Sequence, residues 1–571
     1  MKKIQILLWW VILTLYSSAQ TLSMGSIGAE IQNAVDTHLK GPNKPLVKKL
    51  YEETGYRPLW FGNSNQAKTS ELIQALHDPL FNYKNKSFDQ RAIKHLFYLL
   101  DNHQVPPEKK AAVYARLDLL LTNAYYRLVR FIVQGDVDWQ MVQEKMAKLK
   151  ESNDIKAHWE MHPKALPPFE EMSRAAKEGD IKHYLESLLP MEERYKKLVK
   201  LLKDYRRMQK FPKIPYRNKV YKVGDRSKDI LLIKKRLQIS GDYPKNAPLN
   251  KVFDPALRDA VLTYQKRYLL KVTGMVDKTV TYYLNQPARN NIRAIIINLD
   301  KTKLYPKKFV NEYAEVNVPD FNLRYYKDGQ RLLKMGVVVG RIDRPTPIFD
   351  DKIEYMVLNP TWTIPDNLIK RDLIHVLREE PDYLREHNIH VFRGNKEIEI
   401  SPEILDPYEH SKKRVPFRFV QFPGESNALG RVKFMFPNKY AVYLHDTDNK
   451  SLMSRRYKVY SSGCMRVERP FDLMHILLEH AKGNYSQNDI AEIIASNKPS
   501  TIKLSKPIPV HILYFTVYEE DGLAYFKNDI YMYDQIIYES SQGHKKATFT
   551  VPKKRLITIK KQKKSQKPLS N

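Results

Sequence analysis

The sequence predicts a multidomain α+β protein: a helical scaffold domain over residues 30–209, a small three-helix domain over 223–285, and a mostly-β domain over 290–545. Three observations carry this. At about 150 residues per domain, 571 residues need three or four separate cores. Apolar residues recur every three or four positions up to about Leu284 and alternate beyond about Arg289. The stretch Phe211-Pro212-Lys213-Ile214-Pro215 breaks the helical period and reads as a linker. A composition of 42% hydrophobic and 28% charged residues excludes a wholly disordered or fibrous chain.

The chain opens with Met1-Lys2-Lys3, an apolar run from Ile4 to Leu15, and then Tyr16, Ser17, Ser18 and Ala19. Residues 1–19 therefore read as an export signal cleaved after Ala19, because about twelve apolar residues are too few to cross a hydrocarbon core of roughly 30 Å. No later stretch approaches a membrane-spanning length, so no stable span is expected after cleavage. Lys and Arg number 96 against 64 Asp and Glu, a net charge of +32 that favours polyanionic surfaces. Export argues against nucleic acid among them and for an anionic cell-wall surface. Residues 546–571, basic from Lys553 to Lys567, read as a C-terminal tail without a fold of its own.

Within the helical domain, Leu117, Leu121, Ala124, Leu128 and Phe131 share one face of a helix that ends near Gly135, and Tyr195, Leu198 and Leu202 repeat the pattern within 185–205. The small domain shows Ile230, Ile233 and Leu237 on one helical face. An Asp254-Pro255 helix start follows, leading to Ala260, Val261 and Tyr264, and then a turn at Gly274-Met275-Val276-Asp277 into a third helix. Strands are expected at Ala294–Leu299, Leu332–Gly340 and Tyr355–Leu358. The polar stretch 366–422, helical around Leu373–Leu384, interrupts them as an inserted cap.

The sequence has one cysteine, Cys464, so an exported chain leaves its thiol without an internal disulfide partner. Nineteen residues upstream lies His445. A thiol becomes a competent nucleophile at neutral pH when an imidazole takes or shares its proton, because the thiolate is the reactive form. Gly463 permits a tight turn that could aim the amides of Gly463 and Cys464 at an oxyanion, and Arg466 could hold a carboxylate by a forked pair of hydrogen bonds. His387 with His390 and His475 with His480 lack the further carboxylate or thiolate of a zinc site, and no Gly-rich phosphate loop is present. Neither a metal nor another cofactor is expected.

The segment from Asn427-Ala428-Leu429-Gly430-Arg431 through Leu444-His445-Asp446-Thr447 to Ser461-Ser462-Gly463-Cys464-Met465-Arg466-Val467 closely resembles the YkuD-type L,D-transpeptidase catalytic domain. Val316-Asn317-Val318-Pro319, Val338-Val339-Gly340, Arg344-Pro345-Thr346-Pro347 and Asn359-Pro360-Thr361-Trp362-Thr363-Ile364-Pro365 are similar to that family's strand motifs. Arg57-Pro58-Leu59-Trp60 and residues 185–195 resemble the scaffold of its larger YcbB-like branch. Gly224, Leu237-Gln238, Gly241, Phe253-Asp254, Tyr264-Gln265 and Gly274-Met275-Val276-Asp277 resemble a small peptidoglycan-binding domain.

The resemblance implies a bacterial periplasmic or cell-wall enzyme. Cys464 would attack a tetrapeptide stem with His445 as base, release D-Ala, and pass the resulting thioester to a second stem as a 3→3 crosslink. Water or a free D-amino acid as acceptor would make the same site a carboxypeptidase or an exchange enzyme, and carbapenems are implied inhibitors. Trp362 and Tyr443 are candidate walls of the donor groove. Two departures from the family pattern mark further candidates: Ser462 stands where most members have His, and Asp446 where most have Gly. Asp446 could orient His445 through its carbonyl or its carboxylate. Two other readings are a peptidoglycan-binding structural protein with an inert site, and a papain-like protease, whose Cys-Trp signature is missing.

Overall fold

The computed structural model describes residues 23–542 except 40, 154 and 209–210, so the expected export signal and basic tail lie outside the described residues. The helical domain is built around the helix Lys110–Val133, whose Leu117, Leu121, Ala124 and Leu128 are completely buried. The apolar pattern over 185–205 belongs to two helices, Ile181–Ser187 and Glu192–Arg207, separated at Leu189-Pro190 because proline cannot donate to a continuing helix. In the small domain the helices Lys228–Ile239, Pro255–Arg267 and Lys278–Leu284 begin at Ser227, Asp254 and Asp277, whose side chains accept from the amides of Asp229, Leu257 and Val280. Each such cap satisfies a donor that the first helical turn leaves unpaired.

Ala288–Thr302 is a helix, not the strand expected over Ala294–Leu299. Ile295 and Leu299 pack into the N-terminal core while Ile297 packs into the C-terminal one, so this helix is apolar on two sides. A short run buried on both sides cannot be told from a strand by its period.

The C-terminal domain opens with β1 (Glu312–Asn317), β2 (Asn322–Lys327), β3 (Gln330–Gly340) and β4 (Asp350–Leu358). Then β5 (Trp362–Thr363) leads into the insertion, which carries β6 (Ile389–Arg393), β7 (Lys396–Ile398) and β8 (Arg418–Gln421). The chain returns through β9 (Val432–Met435), β10 (Leu444–His445), β11 (Val459–Ser461), β12 (Met465–Val467) and β13 (Ser500–Leu513). Nine of these strands form one sheet in the order β11-β3-β12-β10-β9-β4-β13-β1-β2. Because β2 also pairs with β3, the sheet closes on itself and only β11 remains outside the ring. Closure removes unpaired edges and traps the inward side chains in a continuous apolar core. The insertion has its own four-stranded sheet, β5-β8-β6-β7, and its own core around Ile374, Leu405 and Phe419.

Two contacts cross the domain boundaries read from the sequence. The hairpin of β14 (Val517–Glu520) and β15 (Leu523–Phe526) joins the N-terminal core: Phe526 stacks on Tyr268 with ring centroids 5.2 Å apart, and Arg267 donates to the Ala524 carbonyl at 2.6 Å. In the other direction, Val142, Met146, Trp159 and Met161, within the helical domain by sequence, pack into the C-terminal core. Trp159 pairs in parallel with Ile348, the Glu160 amide donating to the Ile348 carbonyl at 2.8 Å and the Ile348 amide to the His158 carbonyl at 2.9 Å. Its ring packs between Tyr514 and Tyr533. Replacing Trp159 with Ala should therefore destabilise the C-terminal domain by about 3–5 kcal/mol. Urea unfolding followed by circular dichroism measures this, and a loss under about 1 kcal/mol would show that the 155–161 segment lies outside that core.

Candidate active site

The alternation of β10 and β12 builds the site. Leu444 faces Met465 across this parallel pair and Phe434 across the antiparallel pair with β9, and all three are completely buried. Side chains of successive strand residues point to opposite faces, so Tyr443 and His445, Cys464 and Arg466, and Lys433 share the other face. His445 stands in register between Lys433 of β9 and Arg466 of β12. Tyr443 lies beside Cys464, joined by the Met465 amide donating to the Tyr443 carbonyl at 3.1 Å. Cys464 and His445 are thus diagonal neighbours on adjacent strands, and among the described residues no hydrogen bond joins the sulfur to the imidazole.

His445 is 4% exposed, and its Nδ1 lies 2.6 Å from the Asp446 carbonyl. A carbonyl only accepts, so Nδ1 carries the proton and Nε2 is left as the basic nitrogen. Burial and the Arg466 charge, with a smaller push from Lys433, hold the imidazole down at about 3. Burial raises the Cys464 thiol to about 11, against the Tyr443 amide and hydroxyl and the Arg466 charge, which favour the thiolate. Its Sγ lies 3.9 Å from the Ala441 carbonyl oxygen. Both shifts favour the uncharged thiol and the uncharged imidazole.

The turn before Cys464 is braced from β3. Thr346, completely buried, accepts from the Gly340 amide at 2.9 Å and donates to the Gly463 carbonyl at 2.8 Å. A Cβ on Gly340 would lie 2.2 Å from the Arg344 carbonyl oxygen, so only glycine allows this approach. Gly463 itself takes φ +121°, in the region that disfavours side chains. Arg344 donates to Ser462 Oγ at 3.0 Å and to Asp372 of the insertion at 2.7 Å, tying the Cys464 turn to the insertion. From the helical domain, Glu160 accepts from the Tyr440 hydroxyl at 3.0 Å and pairs with Lys439 at 2.7 Å, which anchors the loop bearing Ala441.

Several sequence-based candidates take other places. The Gly463 amide, expected with the Cys464 amide to face an oxyanion, donates to Ser461 Oγ at 3.3 Å, while the Tyr443 and Cys464 amides both favour negative charge on the sulfur. Asp446 orients His445 through its carbonyl and not its carboxylate, which accepts from the Arg431 and Thr447 amides at 2.9 and 2.7 Å and pairs with Lys450. A Cβ on Gly430 would collide with that carboxylate, so the acid at 446 depends on the glycine at 430. Trp362 packs half-buried against the cap core. Ser462 is exposed and held by Arg344. Lys433, Thr346, Arg344 and Glu160 lie far from Cys464 in sequence, and no spacing rule connects them to it. Among the described residues, no cluster of three or more potential metal ligands occurs, and no helix is long and apolar enough to cross a membrane.

Residues 311–484 match the family described as the L,D-transpeptidase catalytic domain (YkuD), residues 45–202 a scaffold domain, and residues 226–283 a "Putative peptidoglycan binding domain". The chain therefore carries a YkuD-type L,D-transpeptidase catalytic domain beside a peptidoglycan-binding domain. It is 36% identical over 222 residues to a protein of Haemophilus influenzae named "Putative L,D-transpeptidase", a match covering 39% of this chain and 44% of that relative's length. Solved L,D-transpeptidases from Xylanimonas cellulosilytica and Stackebrandtia nassauensis are each 12% identical. The first aligns over 52% of this chain and 99% of its own with a TM-score of 0.17, the second over 51% and 94% with 0.18.

Two outcomes follow from this geometry. In Thr346→Val, which keeps the volume and removes the hydroxyl bridge, stability should fall by about 1–3 kcal/mol, and alkylation of Cys464 should show altered access to the sulfur; a thermal midpoint and alkylation rate both equal to wild type would remove Thr346 from the brace. Alkylation of the free enzyme by iodoacetamide should be slow at neutral pH and climb about tenfold per pH unit up to roughly pH 10. A plateau already reached below pH 7 would reveal a preformed thiolate–imidazolium pair instead.

Proposed function

We propose that the protein is an exported cysteine-dependent L,D-transpeptidase that forms 3→3 peptidoglycan crosslinks. The shared face of Tyr443, His445, Cys464 and Arg466, inside the segment that matches the YkuD domain, carries this reading. Its substrate is a tetrapeptide stem whose third residue has an L-centre and whose fourth is D-Ala.

Because thiol and imidazole both rest neutral, the proton moves as the bond forms. His445 Nε2 takes the Cys464 proton while Sγ adds to the carbonyl of the third residue. The imidazolium created there then gives its proton to the D-Ala nitrogen, the carbon–nitrogen bond breaks, and a thioester remains. Such an imidazolium is costly between Lys433 and Arg466 and is therefore a strong acid, suited to protonating a poor amine leaving group. The Tyr443 amide and hydroxyl, which favour negative charge on the sulfur, stabilise it during attack and again on departure. An amine from a neighbouring stem next adds to the thioester, loses its proton to His445, and expels the sulfur, which recovers a proton from the imidazolium. The peptidoglycan-binding domain and the basic surface hold the enzyme on the wall meanwhile.

Intact wild-type protein incubated with a tetrapeptide stem should gain the mass of the tripeptide acyl group and release D-Ala. Cys464→Ala should show neither, and His445→Ala should slow acylation by about 10²–10⁴-fold. Crosslinks formed undiminished by Cys464→Ala would leave only a wall-binding role.

A further inference from the structure

Two cations flank His445 on the face that carries Cys464, and among the described residues neither forms an ion pair. Half-buried Lys433 makes no hydrogen bond; its ammonium stands 5.7 Å from the centroid of the Tyr443 ring. Arg466 has one long hydrogen bond, from Nη1 to Thr447 Oγ1 at 3.4 Å, and its buried Nε has no partner. Elsewhere several buried cations are paired, Arg324 with Asp320 at 2.6 Å, Arg267 with Asp242 at 2.5 Å, and Lys301 with Asp534, while buried Lys303 and Arg236 are held by backbone carbonyls instead. Partly withdrawing a cation from water without a counter-ion is costly, so an arrangement that keeps one on each side of the imidazole suits an anionic guest.

The chemistry at His445 says where that guest's charge must lie. In the reading proposed above, on which this inference rests, His445 protonates the nitrogen of the departing D-amino acid. The carboxylate carbon of an α-amino acid is two bonds from that nitrogen, about 2.5 Å away. A free C-terminal carboxylate on the donor stem is therefore carried beside the imidazole, into the space between Lys433 and Arg466.

We propose that Lys433, together with Arg466, forms the receptor for the C-terminal carboxylate of the departing D-amino acid, so that the enzyme selects donor stems ending in a free acid. Lys433 contributes a mobile point charge from β9, and Arg466 a planar fork from β12. The pair also tethers the leaving group at the imidazole while its nitrogen is protonated. A stem extended by a fifth residue, or capped as an amide, brings no charge to this position and leaves both cations unpaired.

Full-length wild type, Lys433→Met and Lys433→Arg are compared on two synthetic stems, one ending in D-Ala as the free acid and one in D-alaninamide, by mass of the acyl-enzyme and by kcat/KM. Wild type should prefer the acid by about 10–100-fold, the range of a hydrogen bond to a charged group. In Lys433→Met that preference should shrink by about tenfold or more, and Lys433→Arg should restore most of it. Equal use of both stems by wild type, or equal losses on both in Lys433→Met, overturns the receptor while leaving the transpeptidase reading standing. Absence of any acyl-enzyme from folded wild type on either stem overturns both.

Discussion

The structure depends on one constraint: the side-chain period of two along β10 and β12, imposed inside a closed sheet. Leu444 and Met465 must point into the apolar core, where full burial of each stabilises the fold by about 1.5–3 kcal/mol. Their neighbours are then forced onto the opposite face, and those neighbours are Tyr443, His445, Cys464 and Arg466. A slip of one residue in either strand would bury the imidazole or the guanidinium in the core and expose two large apolar groups. The same packing energy that closes the ring therefore assembles the chemistry, with no separate interaction between Cys464 and His445 needed to bring them onto one surface.

That economy has an electrostatic consequence. Burial and two neighbouring cations strip His445 of its usual basicity, and burial keeps the thiol protonated. The resting site is a neutral pair waiting for a substrate whose own charges change the balance. A carboxylate arriving between Lys433 and Arg466 would offset the positive field on the imidazole and make proton transfer to Nε2 less costly.

The domains are less separate than a linear division suggests. The Cys464 turn hangs on Thr346 and on Gly340 at the end of β3, touches the insertion through Arg344 and Asp372, and faces a loop that Glu160 fixes from the helical domain. The β14–β15 hairpin reaches back to the N-terminal core while Trp159 reaches forward into the C-terminal one. Such reciprocal exchange of core residues couples the rigidity of the catalytic loops to parts of the chain that precede the catalytic domain by more than a hundred residues.

The sequence by itself determined what depends on local periodicity and short-range chemistry. The buried stripe of Leu117, Leu121 and Leu128, the helix start at Asp254 and the turn at 274–277 into a third helix were legible because each is written within a few turns. Only the tertiary structure decided that Ala288–Thr302 is a helix, that the Asp446 carboxylate serves the backbone at Gly430, that the Gly463 amide turns inward, and that Lys433 stands beside His445. The helix rests on burial from two sides, and the others on how a strand pair or a turn closes in the folded chain. No local pattern encodes such facts, because charge, register and solvent exclusion are properties of the neighbours that folding supplies.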